Sequence, residues 1–267
     1  MFDPTPPILE FDPAPTAVVE PHMALSQAEM PERVVICYFR EVIAGTGGEQ
    51  GVRRIGALES EMGTFPIFEI DDEGRRVAIA QGGIGAPLAG GWLDELISFG
   101  GRAFVAIGGA GALVPGLTLG QVVVPTSAIR DEGTSYHYLA PSREVGPTDD
   151  AVAAIISTLD RHSVPHVEGK TWTTDGYYRE TRGKVERRVA EGCLTVEMEA
   201  SAFFAVARFR GVSFGQMLMA GDDLSGEAWN RRGWNWHADG RQRLFALAVE
   251  AVNSIKIEPR RRSTGQR

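Results

Sequence analysis

A chain of 267 residues, 43% of them apolar, is long enough for one large domain or two small ones with a sizeable core. Its net charge of -8 disfavours a general nucleic-acid binder, which would carry a basic face. Two cysteines, Cys37 and Cys193, are too few for a disulfide framework or a four-cysteine zinc site, and no metal site is expected. No apolar run approaches the roughly 18 residues of a membrane span, and no basic-then-apolar leader opens the chain, so a soluble, reduced, cytoplasmic protein is expected.

Residues 1–30 are rich in proline, with Phe2-Asp3-Pro4 and Phe11-Asp12-Pro13 as a loose pair, and read as an extended arm laid over the domain or a neighbour. Residues 33–39 read as a buried strand holding an inert Cys37 thiol. Residues 66–70 and 76–80 read as a strand pair around the turn Asp71-Asp72-Glu73-Gly74. A helix is predicted over 88–99, closed by Gly100-Gly101, then short strands over 103–107 and 121–125. A helix over 149–162 ends near Pro165; a strand over 166–173 and a helix over 183–191 follow. A helix over 199–210, a strand over 213–220 and a long helix over 240–255 complete the pattern. Residues 257–267 form a short basic tail containing Arg260-Arg261-Arg262. Strands alternating with helices indicate an α/β layer fold on a largely parallel sheet, and without an interior linker residues 31–256 read as one domain.

Ligands in open α/β sheets gather at the carboxyl ends of strands, and several predicted strands end unusually. One runs into Gln81-Gly82-Gly83-Ile84-Gly85-Ala86-Pro87 and a helix, another into Gly108-Gly109-Ala110-Gly111. Glycines before a helix let backbone amides face an anion; the plainer reading is tight strand-to-helix packing. Neither run has dinucleotide or phosphate-loop spacing. The polar run from Arg130 to Tyr138 reads as a loop that covers a pocket or crosses a subunit boundary. Asp222 and Asp223 end another strand, where a carboxyl serves either as a general acid or as a turn cap.

The densest signal is Thr195-Val196-Glu197-Met198-Glu199-Ala200 at a strand-to-helix junction. One carboxylate there can hold two ribose hydroxyls, and the methionine offers a soft apolar surface to the sugar.

In this order, Gly83-Ile84-Gly85, Gly108-Gly109-Ala110-Gly111, the segment from Ala128 to Ser135 and Val196-Glu197-Met198-Glu199-Ala200 resemble the nucleoside phosphorylase superfamily over residues 33–255. The resemblance implies a three-layer α/β/α fold with a mixed central sheet, assembled as a homo-oligomer (dimer, trimer or hexamer). It implies cleavage of the bond between base and ribose, with nucleoside and inorganic phosphate as substrates and no other cofactor. Asp222 and Glu199 would be catalytic. Met198, Glu197, Tyr177, Gly108 and Gly109 would contact the nucleoside, and Gly83, Gly85, Arg40 and Glu41 would border a phosphate or water site.

Three departures bear on the nucleophile and the base. Ala106 stands where the phosphorylases carry a phosphate-binding arginine, and Gly109 replaces a phosphate-contacting hydroxyl. The family's glycine-aspartate-proline turn is replaced by Ile36-Cys37-Tyr38-Phe39-Arg40-Glu41, although Arg40 or Arg53 could substitute as cations. Thr181 and Gly183 stand where the uridine branch places its base-reading glutamine and arginine, so a purine-like base is expected. Phosphorolysis is the leading expectation; hydrolysis, with Glu41 beside the water, and a non-catalytic nucleoside binder are the alternatives. The segment from Trp229 to His237 reads as a lid or subunit contact.

Overall fold

The structure, a computed structural model, describes residues 5–21, 30–233 and 238–257. Phe2-Asp3-Pro4, residues 234–237 of the expected lid and the arginines of the basic tail lie outside the described residues.

Strand β1 (Arg33–Cys37) is buried beyond its first residue. The strand predicted over 33–39 stops at Cys37: Tyr38 turns to donate its N–H to Ile107 O, and Phe39 caps a short helix, α1 (Arg40–Thr46). Then come β2 (Arg53–Ser60), β3 (Gly63–Asp72) and β4 (Arg75–Gln81), a meander whose second turn is the expected one. Helix α2 (Ala86–Ser98), β5 (Ala103–Ala112), β6 (Val122–Asp131), β7 (Glu144–Val145) and α3 (Asp149–Arg161) follow. The chain continues through β8 (His166–Thr174), α4 (Arg182–Ala190), β9 (Cys193–Glu197), α5 (Ala200–Arg210), β10 (Ser213–Asp223) and α6 (Ala238–Ser254).

The sheet is mixed, in the order β10-β6-β8-β9-β5-β1-β4-β3-β2, and β10 also pairs with β5. Strands β10, β6, β8, β9 and β5 therefore close a ring at one end of the sheet, and β4, β3 and β2 extend the other end. Alternate residues of the central strands serve two helical layers, as the two-residue period of a strand requires. Val35, Cys37, Val105 and Ile107 pack beneath α1, α3 and α6, while Val34, Ile36, Phe104 and Ala106 pack beneath α2 and α5. The second layer is filled by Phe203 stacked on Phe214, with ring centroids 4.8 Å apart. Both cysteines are buried, and burial pushes each thiol up to about 12, which leaves them inert.

Strand β5 runs on through Gly108 to Gly111, where the sequence suggests an end before a helix; no helix follows it directly. Gly108, Gly109 and Ala110 pair with Leu218, Met219 and Ala220, and Gly111 pairs with Val196. A Cβ on Gly111 would lie 2.7 Å from Leu224, so the glycine permits a close approach of chains at the ring. Among the described residues no helix is long and apolar enough to cross a membrane.

Candidate active site

At the end of β9 the chain enters α5 through Glu197, Met198 and Glu199. The first amides of a helix lack partners within it, and Glu197 supplies them. Its carboxylate accepts the N–H of Glu199 at 2.7 Å and of Ala200 at 2.6 Å, and the Thr173 hydroxyl at 2.6 Å. Thr173 in turn accepts the Ser201 N–H, and the Ser201 hydroxyl donates to buried Glu132 at 2.9 Å. Glu197 is thus an anionic helix cap inside a buried polar network, as well as a wall of the cavity described next.

Glu199 is also buried, but less well supplied with donors. One oxygen accepts the Gly85 N–H at 2.7 Å. Gly85 begins α2 with φ +88, a conformation that glycine adopts without strain and that aims its amide at Glu199. Burial, then the charge of Glu197, push the Glu199 carboxyl well above the usual carboxylate range. Burial raises Glu197 too, against its three hydrogen bonds.

These residues open on a cavity of about 630 Å³, within the range of small-molecule sites. Met198, Glu197, Glu199, Gly108, Gly109, Tyr177 and Asp222 all line it. Asp222 accepts the indole N–H of Trp229 at 2.6 Å through one oxygen, and the other has no hydrogen-bond partner among the described residues. Its neighbour Asp223 has the turn role: it accepts the Ser225 N–H at 2.9 Å, pairs with Arg232 and exchanges backbone bonds with Asn230. Tyr177 and Tyr178 stand at the mouth with ring centroids 4.3 Å apart, both exposed.

Four expected anion- or water-site residues lie outside this cavity. The Gly85 amide is already donated to Glu199, and the Gly83 carbonyl accepts the Tyr38 hydroxyl at 3.0 Å. Arg40 is exposed on α1. Glu41 pairs with buried Arg241 of α6; burial alone would raise its carboxyl, but the hydrogen bond and charge of Arg241 hold it below its ordinary value. Arg53, the other candidate cation, pairs with Glu69 at 2.9 Å on the outer hairpin. Ala106 is fully buried beneath α2 and α5.

The run from Arg130 to Tyr138 is the end of β6 followed by a 3-10 turn, and its arginine is structural. Arg130 donates to Ser135 Oγ, Ala140 O, Ser142 Oγ and Leu139 O at 2.7–3.0 Å and lies 4.1 Å from the Tyr136 ring centroid.

Sequence reasoning missed Tyr38, Gln216 and Glu180, which also line the cavity. Tyr38 reads as the tail of a strand, and Gln216 as one polar residue in an apolar one. Glu180, among Arg179, Thr181 and Arg182, reads as surface charge. In the fold it is half-buried, and burial, then the charge of Asp222, push its carboxyl up to about 7 against the opposing effect of Lys184.

The sequence profile described as the Phosphorylase superfamily matches residues 42–253. The chain is 27% identical over 249 residues to a guanosine phosphorylase of Halorubrum lacusprofundi, covering 88% of this chain and 99% of that one. It is 28% identical over 190 residues to a uridine phosphorylase of Treponema pallidum, covering 67% and 73%. Among solved structures, a purine nucleoside phosphorylase of Toxoplasma gondii in complex with immucillin-H shares the fold with a TM-score of 0.73 at 19% identity, over 89% of this chain and 96% of that one.

Proposed function

Because the chain belongs to the phosphorylase superfamily, we propose that it cleaves the N-glycosidic bond of a nucleoside with a purine-type base. The observation that carries this reading is that Met198, Glu199 and Asp222 face one cavity of nucleoside size. Cleavage leaves positive charge on the ribose and negative charge on the departing base, so rate comes from holding the sugar and stabilising the base. Glu199 accepts from the ribose hydroxyls beside Met198, and Asp222 donates a proton to, or shares one with, a ring nitrogen of the departing base. Tyr177 offers an aromatic face to the base. The relatives' names support inorganic phosphate as the acceptor, with free base and ribose 1-phosphate as products, and the reading requires no further cofactor. Assembly as a homo-oligomer belongs to the same proposal: Ile84, Tyr177, Tyr178 and Trp229 expose apolar surface around the mouth, which a second copy would cover.

A second reading, with water as the acceptor, is favoured by the charge of the cavity. Glu180, Glu197, Glu199 and Asp222 line it, and no cation does among the described residues. A phosphate dianion needs charge-assisted donors, whereas the buried Gln216 Oε1, without a partner among the described residues, is an acceptor suited to water. Incubation with purine nucleosides, with and without phosphate, separates the readings. Base release that requires phosphate supports phosphorolysis, release that ignores it supports hydrolysis, and ligand binding without release supports a non-catalytic binder.

A further inference from the structure

Residues 5–21 precede the stretch matched by the family profile and lie across the protein's own surface. Two points hold them there. At the first, the 3-10 turn Pro7–Leu9 meets the 3-10 turn Thr134–His137 that follows β6. Ile8 is 37% exposed whereas Val18, farther along the arm, is 96% exposed, so Ile8 is a contact of the arm and Val18 is not. A Cβ on Gly133 would lie 3.5 Å from the Ile8 side chain and 3.9 Å from the Asp175 carboxylate. At the second point, the Glu20 carboxylate accepts from Arg210 at 3.3 Å. Arg210 ends α5 and also donates to Asp94 of α2 at 2.7 and 3.1 Å, and Asp94 accepts the Tyr138 hydroxyl at 2.8 Å. Pro6, Pro7, Pro13, Pro15 and Pro21 restrict the arm before it docks, so less chain entropy opposes its being held at two points.

The two points bracket the loop from Glu132 to Tyr138, and that loop borders the site. The Gly133 N–H, against which Ile8 lies, donates to Asp175 at 2.9 Å. Asp175 begins the turn Asp175-Gly176-Tyr177, and Tyr177 lines the cavity mouth. Glu132 accepts the Ser201 hydroxyl at 2.9 Å at the head of α5. We propose that the N-terminal arm is a strap that sets the mouth of the cavity, with Ile8 and Glu20 as positioning residues that act on a bound nucleoside through Gly133, Asp175 and the Tyr177 turn. The kinetic consequence rests on the glycosidic-bond reading; the ordering of the loop does not.

Hydrogen–deuterium exchange of the full chain tests the strap, comparing the wild type with Ile8→Ser, Glu20→Gln and Val18→Ser, together with kcat and KM for inosine. Ile8→Ser and Glu20→Gln should each speed exchange of the amides over 133–138 and 176–179 roughly threefold to tenfold, because local opening becomes easier, and leave β1 and β5 unchanged. Arg210 keeps Asp94 in every variant, so the fold survives. Both substitutions should raise KM about threefold with kcat unchanged, the mark of lost binding rather than of a lost transition-state contact. Val18→Ser should match the wild type throughout. Faster exchange confined to residues 5–21, faster exchange spread over the whole chain, or a loosened loop with KM unchanged overturns the strap. A wild type that cleaves no inosine sinks the glycosidic-bond reading alone, and exchange at the loop and turn then decides the strap.

Discussion

Glu197 and Glu199 are two residues apart and sit in unlike surroundings. Glu197 accepts three hydrogen bonds at the head of α5, while Glu199 accepts one from Gly85 and faces the cavity. Glu199→Gln keeps the shape and an acceptor for Gly85 but removes a buried charge beside another. A carboxyl whose folded-state pKa lies above its unfolded value stabilises the fold fully below the unfolded value, and that contribution is lost as pH rises through the folded one. Glu199 is shifted in this direction. The variant should therefore match the wild type in melting temperature near pH 4 and exceed it at pH 8–9, by roughly 2–4 °C for each kcal/mol of repulsion removed. Its kcat/KM should fall by about tenfold to a hundredfold, since a neutral amide accepts less well from two hydroxyls. Differential scanning calorimetry across that pH range checks the first part; a variant less stable than the wild type at high pH would mean that Glu199 is held as an anion.

At the scale of elements, the site depends on turns that the sequence shows unevenly. The β9-to-α5 junction is legible because a carboxylate beside an apolar helical run marks a helix start, and the expected helix over 199–210 is α5 with Glu199 in the capping position. Helix α1 and strand β2 were not legible. The first is a seven-residue piece directly after the strand expected over 33–39, and in the second only Leu58 is fully buried. The length of β5 was hidden by glycines that read as a break and are a place of close packing. The loop after β6 is held by Arg130, whose hydrogen bonds reach Ser135, the Leu139 and Ala140 carbonyls, and Ser142. Arg130→Met should lower unfolding free energy by about 3 kcal/mol, because several buried acceptors lose a charged donor at once. It should also lower kcat/KM, since Ser135 and Glu132 connect this loop to Ser201 at the head of α5. Denaturant unfolding with the midpoint unchanged would show that the loop does not depend on Arg130.

For the whole molecule, alternating strands and helices indicated an α/β layer fold, while the three layers and the mixed sheet were implied by the family resemblance; period-two burial in β1 and β5 feeds both helical layers. The ring made by β10 pairing with both β5 and β6 was not accessible, since strand pairing is a long-range property that no local pattern encodes. The same holds for the site. Met198, Glu199, Asp222 and Tyr177 were legible one by one, but that Gly85 serves Glu199 and that Glu180 faces the cavity depends on elements brought together by the ring. The account stands on one sugar-holding carboxylate and one base-facing carboxyl sharing a chamber. A crystal structure with a non-cleavable purine nucleoside analogue tests this most directly. It should show the ribose hydroxyls hydrogen-bonded to Glu199 and the base directed toward Asp222; a ligand seated elsewhere, or one that touches only one of the two, would contradict it.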